Sequence, residues 1–258
     1  MKKIILNIAK IKIGFVFEEY DEDFFRKLDK RYGAFKVDLS LEKFINVKFS
    51  KKFFGKDNRV LLDDNGRLTM KRKDFYFDGN FLFIKKDIYS FDSFLRVYIS
   101  DVLNKHNGLL IHSAGVVFND RGFLFVSKSG GGKTTITRIF SDCSVLSDEL
   151  VCVLFGNNKV FIYPSPFYGE LRMRNFPNKK AVLFKIFLIS KSNRNYEEEI
   201  GFSKKLIGIL RSVVNFNKDK KVILKIFKKV EKLAQSSVSK LNFRKDLTLR
   251  EYFDKNYT

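Results

Sequence analysis

Gly130, Gly131, Gly132, Lys133, Thr134 and Thr135 follow one another, separated by three residues from the end of the apolar run Phe123 to Val126. Consecutive glycines ahead of a lysine and a hydroxyl suit the cradling of phosphate. Backbone N–H groups of such a loop point inward at anionic oxygens. Glycine permits the tight curvature and the close approach of the anion. Lys133 is placed to reach the β- and γ-phosphates of ATP, and the Thr134 hydroxyl to ligand Mg²⁺. Ser129 and Thr135 complete the loop at either end. The order of strand, glycine-rich turn and helix start at Ile136 is the context this loop requires. One position departs from the pattern: Ser127 stands where the loop ordinarily has glycine. A Cβ there narrows the loop or demands a negative φ.

A phosphate loop alone says nucleotide and leaves the reaction open. Spacing says more. Asp148 ends the apolar segment Val145-Leu146 only 15 residues after Lys133. The intervening helix must therefore be short, and the next strand must deliver Asp148 beside the loop. A carboxylate in that place can ligand metal or accept a hydroxyl proton. Further on, Arg172 or Arg174 could stabilise charge on a transferring phosphoryl group, and spacing does not choose between them.

These residues have to be positioned by the rest of the chain. Ile4 to Phe17 reads as one or two strands, and Phe24 to Tyr32 as a short helix. Lys36 to Phe49 alternates, with Val37, Leu39 and Leu41 on one face. Asn65-Gly66 and Asp78-Gly79 are turn signals between short apolar runs. A helix follows, capped by Ser90 or Asp92, with Phe91, Phe94, Leu95 and Tyr98 on its apolar face and Asn107-Gly108 at its end. The domain boundary is placed just before it: residues 1–89 as a β-rich N-terminal domain, residues 90–258 as the P-loop catalytic domain. Within the latter, Leu109 to Phe118 is a strand that Asn119-Asp120 turns into the strand before the loop. Val151 to Leu154, Val160 to Tyr163, Ala181 to Ile189 and Val238 to Phe243 are further strands. Two helices hold Leu206 to Val213 and Val222 to Ala234, and Arg244-Lys245-Asp246 leads to a short tail.

Composition removes several classes. With 258 residues and 45% hydrophobic content the chain can bury a substantial core and is not a disordered segment. The formal charge is +21, which favours acidic partners. The basic residues are scattered, and the chain lacks Trp and any aromatic–basic RNA-binding signature, so no specific nucleic-acid binding is expected. No run is long enough for a membrane span, and the apolar stretch after Met1 breaks at Asn7 and Lys10, too short for a signal core. Cys143 and Cys152 are the only cysteines. Without a CxxC pair or a nearby histidine they argue against zinc, and a cytoplasmic setting is the simplest one. The sequence sets no oligomeric state.

Taken together, these residues resemble the HPr kinase/phosphorylase catalytic domain and its smaller relatives, some of them kinases encoded with peptide-modifying enzymes. The fold of that family is shared with ATP-dependent phosphoenolpyruvate carboxykinase. The resemblance is good over residues 111–155 and looser over 163–189 and 238–246. Ser129, Gly130, Gly132, Lys133 and Thr134 match the family's loop, and Ser127 departs from it. His112, in Leu-Ile-His-Ser-Ala-Gly-Val, resembles the family's histidine on the strand before the loop strand. Asp148-Glu149 resembles its paired acids, with Glu149 in place of the second aspartate. The resemblance implies that Asp148 is the general base for a serine hydroxyl. Glu170-Leu-Arg172, after Pro166, is similar to the family's Glu-x-Arg signature.

What the resemblance implies is an α/β fold, a P-loop kinase domain of the HPr kinase/phosphoenolpyruvate carboxykinase type with a β-rich N-terminal region. The implied function is ATP- and Mg²⁺-dependent transfer of phosphate to a serine hydroxyl of a peptide or protein. Two rivals stand beside it: a nucleotide-binding interaction module without turnover, which Ser127 favours, and a small-molecule kinase or nucleotidase.

Overall fold

The computed structural model describes residues 1–52, 54, 59–62, 68–169 and 180–258. The chain divides into two compact units, Met1–Val102 with Asn215–Lys220, and Leu103–Val214 with Lys221–Thr258. Both are built on mixed sheets, and the protein is a mixed α/β protein.

The first unit holds β1 (Lys2–Ile8), β2 (Ile11–Phe17), α1 (Glu22–Tyr32), β3 (Ile45–Phe49), β4 (Arg59–Leu62), β5 (Leu68–Lys71), β6 (Phe75–Phe77), β7 (Phe81–Ile84) and most of α2 (Ile88–Lys105). Its seven strands run in the order β1-β2-β3-β7-β6-β5-β4. Asp21 starts α1 by accepting from Phe24 N–H at 2.8 Å, and Phe24, Phe25, Leu28 and Tyr32 form the buried face. The apolar face expected on α2 is buried against this sheet. Phe91 stacks edge-on to Phe15 at 5.0 Å, and Phe94 lies 5.2 Å from Phe77. The division between units therefore falls inside α2, after Val102, whereas the sequence places it before the helix.

The α2 cap differs from expectation too. Asp87 accepts from Ser90 N–H at 2.8 Å. Asp92 instead accepts from Arg31 Nε, the Tyr32 hydroxyl and Arg96 Nε, each at 2.7 Å. Of the alternating stretch Lys36 to Phe49 only Ile45–Phe49 is a strand. The Asp78-Gly79 turn is present: Gly79 has φ 101°, and Asp78 accepts from the N–H groups of Asn80 and Phe81. Asn65-Gly66 lies outside the described residues.

The second unit is organised on β8 (Gly108–Phe118). The remaining elements are β9 (Arg121–Val126), α3 (Lys133–Ile139), β10 (Ser144–Ser147), β11 (Leu150–Phe155), β12 (Val160–Tyr163), β13 (Ala181–Lys191), β14 (Tyr196–Glu198), α4 (Phe202–Leu210), α5 (Lys220–Ala234), β15 (Val238–Phe243) and α6 (Thr248–Asn256). Asn119 and Asp120, at φ 47° and 58°, turn β8 into β9, the left-handed pair a two-residue hairpin needs. β9 takes residues 113–118 of β8 on one edge. On the other edge β10 pairs with residues 115–117 and β11 with residues 108–112, both antiparallel. The chain from Ser144 to Phe155 is thus one path along β8, interrupted at Asp148-Glu149. β13 lies parallel to both β9 and β15.

Helices cover both faces of this sheet. On one, Ile209 of α4 and Val222, Ile226, Val230 and Leu233 of α5 join Ile111, Leu124, Val151 and Ile186. On the other, Ile136, Phe140, Leu249 and Phe253 join Val116, Phe118, Phe123, Phe125 and Phe187. The segment expected to be a tail is α6, which supplies Leu249 and Phe253 to that core.

Candidate active site

β9 ends at Val126, opposite Ser113 of β8. There the chain leaves the sheet, and α3 begins at Lys133. Two loop glycines take left-handed backbone, Gly130 at φ 73° and Gly132 at φ 109°, a region side chains disfavour. At Gly132 space is closed as well: a Cβ would lie 2.5 Å from Phe243 Cζ. At Gly130 a Cβ would meet nothing within 4 Å, so this part of the loop stands open to a ligand. Ser127 needs no left-handed backbone. Its hydroxyl donates to Lys128 O at 3.1 Å, and its side chain fills space left by the missing Cβ of Gly131. The departure from glycine at 127 is thus accommodated inside the loop.

Lys133 is 7% exposed. Its Nζ donates to Ser127 O at 3.1 Å and Lys128 O at 3.4 Å, so the loop closes on its own lysine. Burial pushes this ammonium below the ordinary lysine range, while Glu149 and Asp148 pull it back up. Lys191 at the end of β13 donates to Gly130 O at 2.6 Å.

The acids come from the break between β10 and β11. Ser147 builds it: its hydroxyl accepts from Glu149 N–H at 3.0 Å and Leu150 N–H at 3.1 Å, and donates to Phe167 O at 2.8 Å. Irregularities of this kind re-aim side chains beside active sites. Ser113 N–H donates to Glu149 O at 3.0 Å, so β8 carries the loop's departure point on one edge and the acids on the other. Asp148 is 3% exposed, and its Oδ1 accepts from Gly169 N–H at 2.8 Å.

A cleft of about 360 Å³ gathers these groups. His112, Ser129, Gly130, Gly132, Lys133, Thr134, Thr135, Asp148 and Glu149 all line it. Gly131 instead faces a neighbouring cleft. Glu170 and Arg172, like Arg174, lie outside the described residues. Arg138, Gly169 and Lys191 also line the cleft; of these the sequence marks only the loop that carries Gly169, Pro166 to Glu170, by its resemblance. Lys191 enters by long-range pairing with Gly130, which leaves no local signature, and the bond from Gly169 to Asp148 is long-range too. Arg138 could have been found, because it falls one helical turn after Thr134.

The donor set suits a magnesium nucleotide. Among the described residues no cluster of three or more His, Cys, Asp or Glu side chains could hold a metal by itself. Magnesium commonly takes one or two protein ligands and leaves the rest to phosphate and water. Thr134 and Asp148 fit that modest share.

No family model matches the chain, and no curated protein matches it. Among solved structures, the HPr(Ser) kinase/phosphatase from Coxiella burnetii matches over 57% of this chain and 97% of its own, at 12% identity and a TM-score of 0.30. A likeness at that level is one of related fold at most.

Proposed function

We propose that the second unit is an ATP- and magnesium-dependent kinase that phosphorylates a serine hydroxyl of a peptide or protein. The observation that carries this reading is that Lys133 and Thr134 of the loop line the same cleft as the buried carboxylate Asp148. The loop amides and Lys133 hold the phosphates of the substrate ATP. The acceptor oxygen forms a bond to the γ-phosphorus, the bond to the β–γ bridging oxygen breaks, ADP leaves, and Asp148 takes the hydroxyl proton. Thr134 and Asp148 are the ligands the chain offers magnesium, which neutralises phosphate charge when bound. Serine as the acceptor rests on the resemblance of Asp148-Glu149 and the loop to HPr kinase.

The test uses the purified chain, γ-labelled ATP, magnesium and an array of serine peptides. Label on serine with wild type and none with Lys133→Ala is expected. ATP binding without label on any peptide would favour the interaction module, and ADP release without label the nucleotidase. Unchanged ATP affinity by calorimetry in a well-folded Lys133→Ala protein would overturn the site itself.

A further inference from the structure

On the other flank of the loop lies a second cleft, of about 530 Å³. It shares His112, Gly130 and Lys191 with the first, so the two lie side by side. Lys128, Lys191 and Arg211 bring its positive charge, and among the described residues no Asp or Glu side chain lines it. Leu188 and Ile189 of β13 and Gly208 of α4 give it an apolar wall. Arg211, the C-terminal cap of α4, makes no ion pair among the described residues.

On the reading above, the nucleotide lies along the first cleft. Lys133 and Thr134 mark the terminal phosphates, and Thr135 and Arg138 continue along α3. None of these four residues lines the second cleft. It meets the first at His112, whose neighbour Ser113 bonds the acid-bearing segment at Glu149. An acceptor seated in the second cleft would reach the transfer site without crossing the nucleotide's path.

We infer that the second cleft seats the acceptor segment, and that this segment is acidic, with carboxylates beside the acceptor serine pairing with Arg211, Lys128 and Lys191. The inference rests on reading the first cleft as the phosphoryl-transfer site. The formal charge of +21 attracts any acidic peptide weakly, so the test has to separate local from diffuse attraction.

Two fluorescent peptides serve as probes, one with glutamates flanking a single serine and one with glutamines in their place. Binding is measured without nucleotide in wild type, Arg211→Glu, Arg211→Gln and Lys255→Glu. Lys255 is exposed and lines neither cleft, and its reversal changes the charge as much as Arg211→Glu does. Wild type should prefer the glutamate peptide by about tenfold, the sum of a few exposed ion pairs. Lys255→Glu should keep the preference, Arg211→Gln weaken it and Arg211→Glu abolish it, with ATP affinity unchanged. Equal binding of both peptides by wild type, or an equal loss in Lys255→Glu, would overturn the inference. Displacement of the peptide by a non-hydrolysable ATP analogue, or weaker ATP binding in Arg211→Glu, would assign the cleft to the nucleotide and overturn it too. Failure of wild type to bind ATP would instead strike the kinase reading, on a separate measurement.

Discussion

Ser127 and Gly131 share one volume: a Cβ on Gly131 would lie 2.6 Å from Ser127 Cβ and 3.0 Å from Lys128 O. The serine at the head of the loop is tolerated because position 131 has no side chain. Gly131→Ala should therefore distort the loop and weaken ATP binding. Ser127→Gly alone should leave affinity near wild type, and the double variant should recover part of the loss. The Lys128 carbonyl remains close, so recovery should be incomplete. Calorimetric ATP affinities of the four proteins give the coupling directly. A value in the range of about 0.5–3 kcal/mol is expected for residues in contact, and additive effects would contradict the packing.

Asp148 carries two separable jobs, since its Oδ1 holds Gly169 N–H while the side chain lines the cleft. Asp148→Asn keeps an acceptor for Gly169 and removes proton acceptance. Nucleotide binding should survive, and transfer to serine should fall by roughly 10²–10⁴-fold, the usual worth of a general base. Asp148→Ala should also release Gly169, at a cost of about 1–3 kcal/mol in denaturant unfolding. A drop in magnesium-dependent affinity in Asp148→Asn would make the residue mainly a metal ligand. Wild-type transfer rates in that variant would remove it from the chemistry.

The loop was legible because its information is contiguous: strand, glycines, lysine and threonine are consecutive in the chain. The proximity of Asp148 was legible from its short spacing to Lys133. That Val151 to Leu154 continues the segment Val145-Leu146 beyond Asp148-Glu149 is legible as well; that both halves pair with β8, and in which register, is not. Lys191 and Gly169 reach the site through β13 and through the bond to Asp148, pairings no local pattern encodes. The alternation at Val37 and Leu39 suggested a strand. Lys36 makes only an isolated bridge, to Leu6, and Leu39 is 45% exposed: alternation without a neighbouring strand to accept it does not form a ladder. α6 leaves little signal in the sequence because its apolar residues are few and set among charges.

Those few residues matter. Phe253 is fully buried, with its ring 4.8 Å from Phe140, 4.9 Å from Tyr257 and 5.4 Å from Phe123. Phe253→Ala removes the centre of this aromatic core and should cost about 3–5 kcal/mol. Because Phe140 directly follows α3 and packs on the same ring, the start of α3 at the loop should loosen with it. Urea unfolding followed by tyrosine fluorescence measures the cost. A midpoint within error of wild type would mean that α6 does not hold this face together.

Lys229 of α5 donates from Nζ to the carbonyls of Leu103, Asn104 and Gly108, at 3.1, 2.8 and 2.9 Å. Two of these belong to the last turn of α2, where Leu103 O also accepts from His106 N–H at 3.2 Å, and the lysine adds its own donors to the helix end as a cap. Burial, with Lys225 beside it, pushes Lys229 down from 10.5 to about 8. In the unfolded chain it returns to the ordinary value. Below about pH 8 both states hold the proton, and the cost of burying the charge is present in full. As pH rises from about 8 towards 10.5, the folded state releases its proton first and the unfolded state binds more, so stability should rise across that window. Lys229→Met removes both the titration and the cap. It also removes the buried charge and its cost, while Leu103 O keeps a second donor in His106 N–H. The urea midpoint of wild type, measured against that of Lys229→Met, should rise from about pH 8 to about pH 10, since only wild type gains from deprotonation at this site. Midpoints of both proteins across that range decide it, and a difference, wild type minus variant, that stays constant or falls would show that Lys229 does not titrate in the window its burial implies.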